Sequence, residues 1–424
     1  MGGHIFLVKP VVSTMMHSSA LDTAIPAFSL GRPLTLNKAA LGTFIITWLI
    51  LIARTTSAAQ APEISMSAAQ WDSPSGTGFE RREGFPAGLM TLKNGIATLK
   101  DAQFSNGTLE FDMKPLEFAD TGIQFRRKDE GTAEFVYLRA DPDCPAANDC
   151  IQYAPITHGL MQWDIYSKFQ GSAPISEKGW NHVKIVAAKK RMRVFINRQP
   201  TPSLDVALQG LSDSGGIAFK GPAIFANLVL DPDDIGGLKD EPERPAGPKD
   251  PRIVTEWLVS PPTVAPTSRD PNSSDIPGPR KWTRFETESD GLANMSREFG
   301  PTPAPALVWL KAHVRANGAQ SKNVQLGWAR KIWVFVNGSM VYAQDNPYYP
   351  EAKRLGPEGR LRLDNATIAL PLHTGENEIV VAVGNTWQTY QGAVEPSPYG
   401  WGMIMVFEDL SNLQLIAPAP GESR

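Results

Sequence analysis

Cysteine is almost missing from this chain, with two residues in 424, Cys144 and Cys150. Histidine is scarce as well, at six. Past residue 60 only His158, His182, His313 and His373 occur, and none is spaced from another as metal ligands or triad members are. H-E-x-x-H, G-x-S-x-G, the Gly-rich phosphate loop and the Rossmann fingerprint are all lacking. These gaps argue against zinc peptidases, serine hydrolases of the nucleophile-elbow type, P-loop enzymes and dinucleotide enzymes. Charge of one sign is lacking too: 41 Lys and Arg face 44 Asp and Glu, for a net charge of −3. With no basic block, no nucleic-acid partner is expected. No amphipathic helix of three turns can be traced. After residue 60 no apolar run approaches the roughly 20 residues of a spanning helix, so no membrane span is expected in the mature chain.

Glycine and proline are plentiful, at 36 each, which suits strands joined by turns. Near the start, Lys38 precedes an apolar run from Ala39 to Ala53, followed by Ser57-Ala-Ala59 and Gln60-Ala61. Charge, apolar stretch and small residues together read as an export signal. Residues 1–60 are therefore expected to be a leader cut near Ala59 or Ala61. The long stretch before Lys38 leaves a later start, at Met15 or Met16, or an uncleaved anchor as alternatives. The expected location is periplasmic or extracellular. In that setting Cys144 and Cys150, six apart in a turn-rich loop, most simply form a disulfide. The same loop carries Asp141, Asp143 and Asp149. Carboxylates on a constrained loop are candidate Ca²⁺ ligands, although the spacing is not an EF-hand and Asp is common in turns. No other cofactor is expected.

Short strand signals fill residues 62–230, and a second series fills 252–415. Asn94-Gly95, Asn106-Gly107 and Lys189-Lys190 read as tight turns. Between the series, residues 231–251 are rich in Pro and mixed charge and read as a semi-rigid linker; residues 416–424 form a tail. The expected fold class is all-β, with two β-sandwich (jelly-roll) domains joined by a Pro-rich linker.

Three strands in the first series alternate in a telling way. Leu109, Phe111 and Met113 share one parity, as do Ile123 with Phe125 and Val136 with Leu138. These are the expected core faces. The opposite parity carries Glu110, Asp112, Gln124, Arg126, Phe135, Tyr137 and Arg139. If the strands are neighbours in one sheet, that parity makes a wet face of carboxylate, amide, guanidinium and ring. Such a face suits a saccharide, because rings stack on pyranose faces and polar groups bond the hydroxyls. The plainer alternative is a solvated outer face. Arg126 and Arg139 could clamp an acidic sugar, or pair with Glu110 and Asp112 across strands. In Trp163-Asp-Ile-Tyr166, strand parity puts Trp163 in the core and Tyr166 on the wet face. A polar loop, Asn385 to Tyr390, carries Trp387 and Tyr390, either as ligand-binding rings or as a lid on the core.

The run Phe104 to Lys114, Gly122-Ile-Gln-Phe-Arg126, Phe135-Val-Tyr-Leu-Arg139, Trp180-Asn-His-Val-Lys-Ile-Val186 and Met192 to Asn197 resembles the concanavalin-A-like lectin/glucanase sandwich. Within that group it looks closest to the laminin-G-like and 3-keto-disaccharide-hydrolase-like branches. Ile332-Trp-Val-Phe-Val-Asn-Gly338, Leu370 to Ile379 and Tyr399-Gly-Trp-Gly-Met403 resemble the galactose-binding-domain-like jelly roll. The first resemblance implies a saccharide partner. Glucanases of that fold carry E-x-D-x-x-E; here Glu110-Phe-Asp112 is followed by Pro115 at the third position, which removes an acid that hydrolysis needs. The expectation is an exported carbohydrate-binding protein. The alternatives are a glycoside hydrolase using Glu110 or Asp112, and a non-catalytic envelope adhesion or scaffold protein.

Overall fold

The computed structural model describes residues 61–239, 250–266, 268–346, 359–388 and 394–418. The leader, the centre of the linker, Tyr390 and the end of the tail lie outside the described residues, as does the side chain of Trp387. The described chain is antiparallel β structure. Its single α-helix among the described residues is five residues long, Met295–Phe299. No helix among them is long and apolar enough to cross a membrane.

Residues 61–239 form two facing eight-stranded sheets. The first runs Leu204–Ala207, Arg191–Ile196, Asn181–Ala188, Gly107–Pro115, Ala223–Asp231, Phe85–Leu92 and Gly78–Arg82, with Glu63–Ile64 added on Ala223–Asp231. The second runs Leu160–Met161, Ile151–Thr157, Thr132–Leu138, Thr121–Asp129, Gly216–Lys220, Ile96–Leu99 and Trp71–Asp72, with Gln170–Gly171 added on Ile151–Thr157. The expected core parity holds: Leu109, Phe111, Met113, Ile123, Phe125, Val136 and Leu138 all lie in one apolar cluster at 1% exposure or less.

The expected single wet face does not form. Gly107–Pro115 belongs to the first sheet, and Thr121–Asp129 with Thr132–Leu138 to the second. The segment 116–120 crosses between the sheets, so strands consecutive in the chain back onto opposite sides of the core. Glu110 and Asp112 therefore face away from Gln124, Arg126 and Tyr137. Asn94-Gly95 also turns the chain from one sheet to the other, where a hairpin was expected. Lys189-Lys190 does close a hairpin, with Ala188 opposite Arg191 and Lys189 at φ 48°.

The second series builds an 11-stranded sheet that folds over on itself. Its backbone is the 17-residue strand Gln320–Val336. Val324 to Ala329 pair with Gly402–Phe407, and Lys331 to Val336 pair with Gly375–Gly384. The switch comes at Arg330, which sits at φ 77°. Val308, Leu326, Trp328, Val334, Val381, Trp401 and Phe407 pack between the two halves. Asn337-Gly338, both at positive φ, close the tight turn into Ser339–Asn346.

The two sandwiches are packed on each other. Leu292, Ala329, Leu361, Ile404 and Val406 join the core cluster of the first sandwich. The described residues of both series form one compact unit.

Candidate functional site

The outer face of the first sheet holds a charged cluster. Strand pairing sets His182 opposite Asp112 and Lys184 opposite Glu110. His182 Nδ1 lies 2.8 Å from Asp112 Oδ1, and Nε2 lies 3.3 Å from Glu110 Oε2. Lys184 Nζ reaches Glu110 at 2.9 Å, and Asn227 donates to Asp112 at 2.7 Å. Burial alone would raise the Asp112 carboxyl, but the hydrogen bonds from His182 and Asn227 outweigh it and hold the group below its usual range. A carboxyl held ionised is not a general acid near neutral pH, so Asp112 does not suit the acid of a glycosidase pair.

The outer face of the second sheet is unlike the first. Phe135 and Tyr137 stack there, with centroids 4.9 Å apart, and Ala133, Ala154 and Ile156 pack beside them. Segment 161–169 lies across this face. It is a series of turns after Met161, not the strand that parity assumed. Trp163 therefore turns onto Phe135 and Tyr137, while Ile165 and Tyr166 turn into the main core. This reverses the parity reading of both aromatics. Tyr166 is 3% exposed, and its hydroxyl bonds Glu288 at 2.7 and 2.8 Å, with Asn294 and Arg297 donating to it. It ties the sandwiches together and lies off any wet face. Burial and the Glu288 charge push its phenol well above the usual range.

Between Tyr137 and Trp163 opens a cleft of about 40 Å³, lined by Asp120, Tyr137, Arg139, Gln152, Trp163 and Tyr399. Tyr137 and Gln152 face each other on adjacent strands, and the Tyr137 hydroxyl donates to Gln152 Oε1. Gln152 Nε2 donates in turn to Gln170 Oε1 at 3.2 Å. Arg139 lies between two carboxylates, with Nε 3.7 Å from Asp120 and Nη1 3.2 Å from Asp149. Its guanidinium carbon is 5.3 Å from the Phe118 ring centroid. Trp163 meets Tyr399 edge-on at 5.7 Å, and the Arg360 guanidinium stands over Trp163 at 5.2 Å.

Tyr399 comes from the second sandwich, and the motif Tyr399-Gly-Trp-Gly-Met403 explains how. Tyr399 bridges to Met161 in parallel fashion. A Cβ on Gly400 would lie 2.6 Å from the Asp164 carboxylate, so only glycine permits that approach. Trp401 is fully buried, and a Cβ on Gly402 would lie 2.5 Å from the Ala293 carbonyl oxygen. Beneath the cleft, Asp164 and Arg330 form an ion pair at 0% and 1% side-chain exposure. Burial raises the Asp164 carboxyl to about 6 although Arg330 pulls it down, and burial lowers the Arg330 guanidinium. Leu361 N–H donates to the Asp164 carbonyl at 2.7 Å, and Ser167 Oγ to the Leu361 carbonyl at 2.6 Å.

Of the residues expected to form the site, Tyr137 and Arg139 meet in this cleft. Gln124 and Arg126 are buried at 3% and 1%. Arg126 sits at φ 49°, where the strand pairing slips, and its Nε donates to the Ser105 carbonyl at 2.8 Å. It pairs with neither Glu110 nor Asp112, which lie across the core. Cys144 and Cys150 form the expected disulfide. The carboxylates of its loop are engaged separately: Asp141 accepts from the Asp143 N–H at 2.9 Å, and Asp149 faces Arg139 and, at 3.9 Å, Arg360. No group of three metal-ligating side chains is found among the described residues.

Alternation did not reveal Asp120, Gln152, Trp163 and Tyr399 as site residues. The one signal for Gln152 is a polar residue between Ile151 and Tyr153 at the parity of Tyr137's face. Glu134 was also missed. It shares the inward parity of Val136, and its carboxylate accepts from Tyr153 at 2.6 Å and from the Gly210 N–H at 3.2 Å. Burial raises its carboxyl despite those bonds.

No protein-family model matches the chain, and no curated protein sequence matches it. Among solved structures it is similar to the carbohydrate-binding module CBM66 from Bacillus subtilis, at 15% identity and TM-score 0.30, over 40% of this chain and 99% of that one. It is similar to a putative glycosyl hydrolase from Parabacteroides distasonis, at 15% identity and TM-score 0.29, over 40% of this chain and 97% of that one. It is also similar to a Bacillus subtilis protein of unknown function with a galectin-like fold, at 14% identity and TM-score 0.28, over 41% of this chain and 98% of that one.

Proposed function

We propose that this is an exported carbohydrate-binding protein whose saccharide site is the cleft on the outer face of the second sheet. The observation that carries the reading is convergence. Three rings, Tyr137, Trp163 and Tyr399, meet three hydrogen-bonding side chains, Asp120, Arg139 and Gln152, around one opening. Rings supply apolar faces for C–H-rich sugar surfaces, and the polar set supplies both donors and acceptors for hydroxyls. In the same reading residues 62–230 are a concanavalin-A-like sandwich and 252–415 a galactose-binding-like one, with 231–251 as the connection. The disulfide supports a periplasmic or extracellular location.

The test is a glycan array probed with the protein and with an Arg139→Ala/Tyr399→Ala variant. Binding that falls about tenfold or more in the variant is expected, since a ring contact and a charged hydrogen bond are lost together. A folded protein that binds no glycan would end this reading in favour of an envelope adhesion or scaffold role.

A further inference from the structure

The cleft is too small to enclose a sugar ring. At about 40 Å³ it holds roughly three water-sized groups. An edge of a ring, presenting two or three hydroxyls, can enter, and the remainder of the saccharide must lie at the mouth. One wall of that mouth is the crossing segment 116–120. It contributes Asp120 to the cleft and carries Leu116 and Phe118 outward, at 45% and 47% exposure. A lone exposed apolar side chain is ordinary. Phe118, however, is held against the site. The Arg139 guanidinium that lines the cleft also faces the Phe118 ring at 5.3 Å and pairs with Asp120 from the same segment. The ring is thereby oriented before any ligand arrives, which lowers the entropy lost on stacking. Arg139 lines the cleft and also stands over the ring, so one side chain borders both.

We propose that Phe118 forms a second sugar subsite and that the ligand is a chain of at least two sugar units. The end unit enters the cleft edge-on, and the next unit stacks on Phe118. The proposal rests on the saccharide reading of the cleft, but it can fail separately. Calorimetric titration of the full chain would use mono-, di- and trisaccharides of glucose, galactose, mannose, xylose and arabinose. The disaccharide of the preferred sugar is expected to bind about three- to tenfold more tightly than its monosaccharide, the range of one aromatic contact. Phe118→Ala should abolish that gain, read as the ratio of disaccharide to monosaccharide affinity within the variant, while Phe118→Trp should keep it. A disaccharide advantage that survives Phe118→Ala, or no advantage at all, overturns the subsite and leaves the cleft standing. No binding by any of these sugars overturns both.

Discussion

The two outer faces of the first sandwich are built from strands of the same alternation, yet they have opposite fates. On the first sheet Glu110, Asp112, His182 and Lys184 stay at the surface, with side-chain exposures from 18% to 33%, and contact one another. On the second sheet Phe135 and Tyr137 are covered by Trp163 and Tyr399 and keep only a narrow opening to solvent. A face becomes a site when something packs over it incompletely. The charged face is covered only at one end, where Ile235 and Leu238 pack on Val186 and Ala188 beside Lys184, and the cluster itself stays open. The aromatic face is covered by Trp163 of its own sandwich and by Tyr399 of the second, which is held in place by the Asp164–Arg330 pair and by Tyr166 with Glu288, Asn294 and Arg297.

The strongest way to break this contrast is to remove the pin under the cover. Arg330→Ala leaves Asp164 buried without its cation and is expected to cost about 3–5 kcal/mol in urea unfolding. The pair replacement Asp164→Leu/Arg330→Met, with no orphaned charge, should recover most of that loss. An equal loss in both variants would show that the pin acts through packing and not charge.

A smaller effect should appear with pH. The Asp164 carboxyl is at about 6 in the fold against 3.8 as its ordinary value, so the native state binds more protons between those values. Stability from this group is fully present below about pH 4 and is lost as pH rises through about 6. Melting temperatures of the protein relative to Asp164→Asn should therefore decline from pH 4 to pH 7. A flat difference would mean that Arg330 keeps the carboxylate ionised throughout.

The smallest effect belongs to the other face. Glu110→Gln/Asp112→Asn is expected to change stability by no more than about 1 kcal/mol, as partly exposed ion pairs do, and to leave glycan binding unchanged. Glycoside turnover that disappears in this double variant would move the site to the first sheet and restore the hydrolase reading.

Much of the fold could be read from alternation. The inward set around Phe111, Phe125 and Val136 is the core, because a strand's two-residue period fixes which side chains share a side. The period carries no information about which strands pair. Glu110 and Arg126 have the same outward parity in different sheets, and only the crossing at 116–120 separates them. Nor does it apply to turns, which is why Trp163 and Tyr166 exchanged places. Glu134 breaks the rule from inside: a carboxylate at inward parity is tolerated because Tyr153 and the Gly210 N–H satisfy it. Tyr399 could not be assigned from local pattern at all, since its role depends on contact with Met161 in the other sandwich.

That contact bears on the order in which the proposed site is assembled. All strands of the first sandwich's two sheets precede residue 232, so during synthesis they emerge before residue 399. At that stage the face of Tyr137 lacks one ring and the opening has no far wall. On the saccharide reading proposed above, binding would begin only when the later sandwich docks, making the ligand a reporter of completed folding.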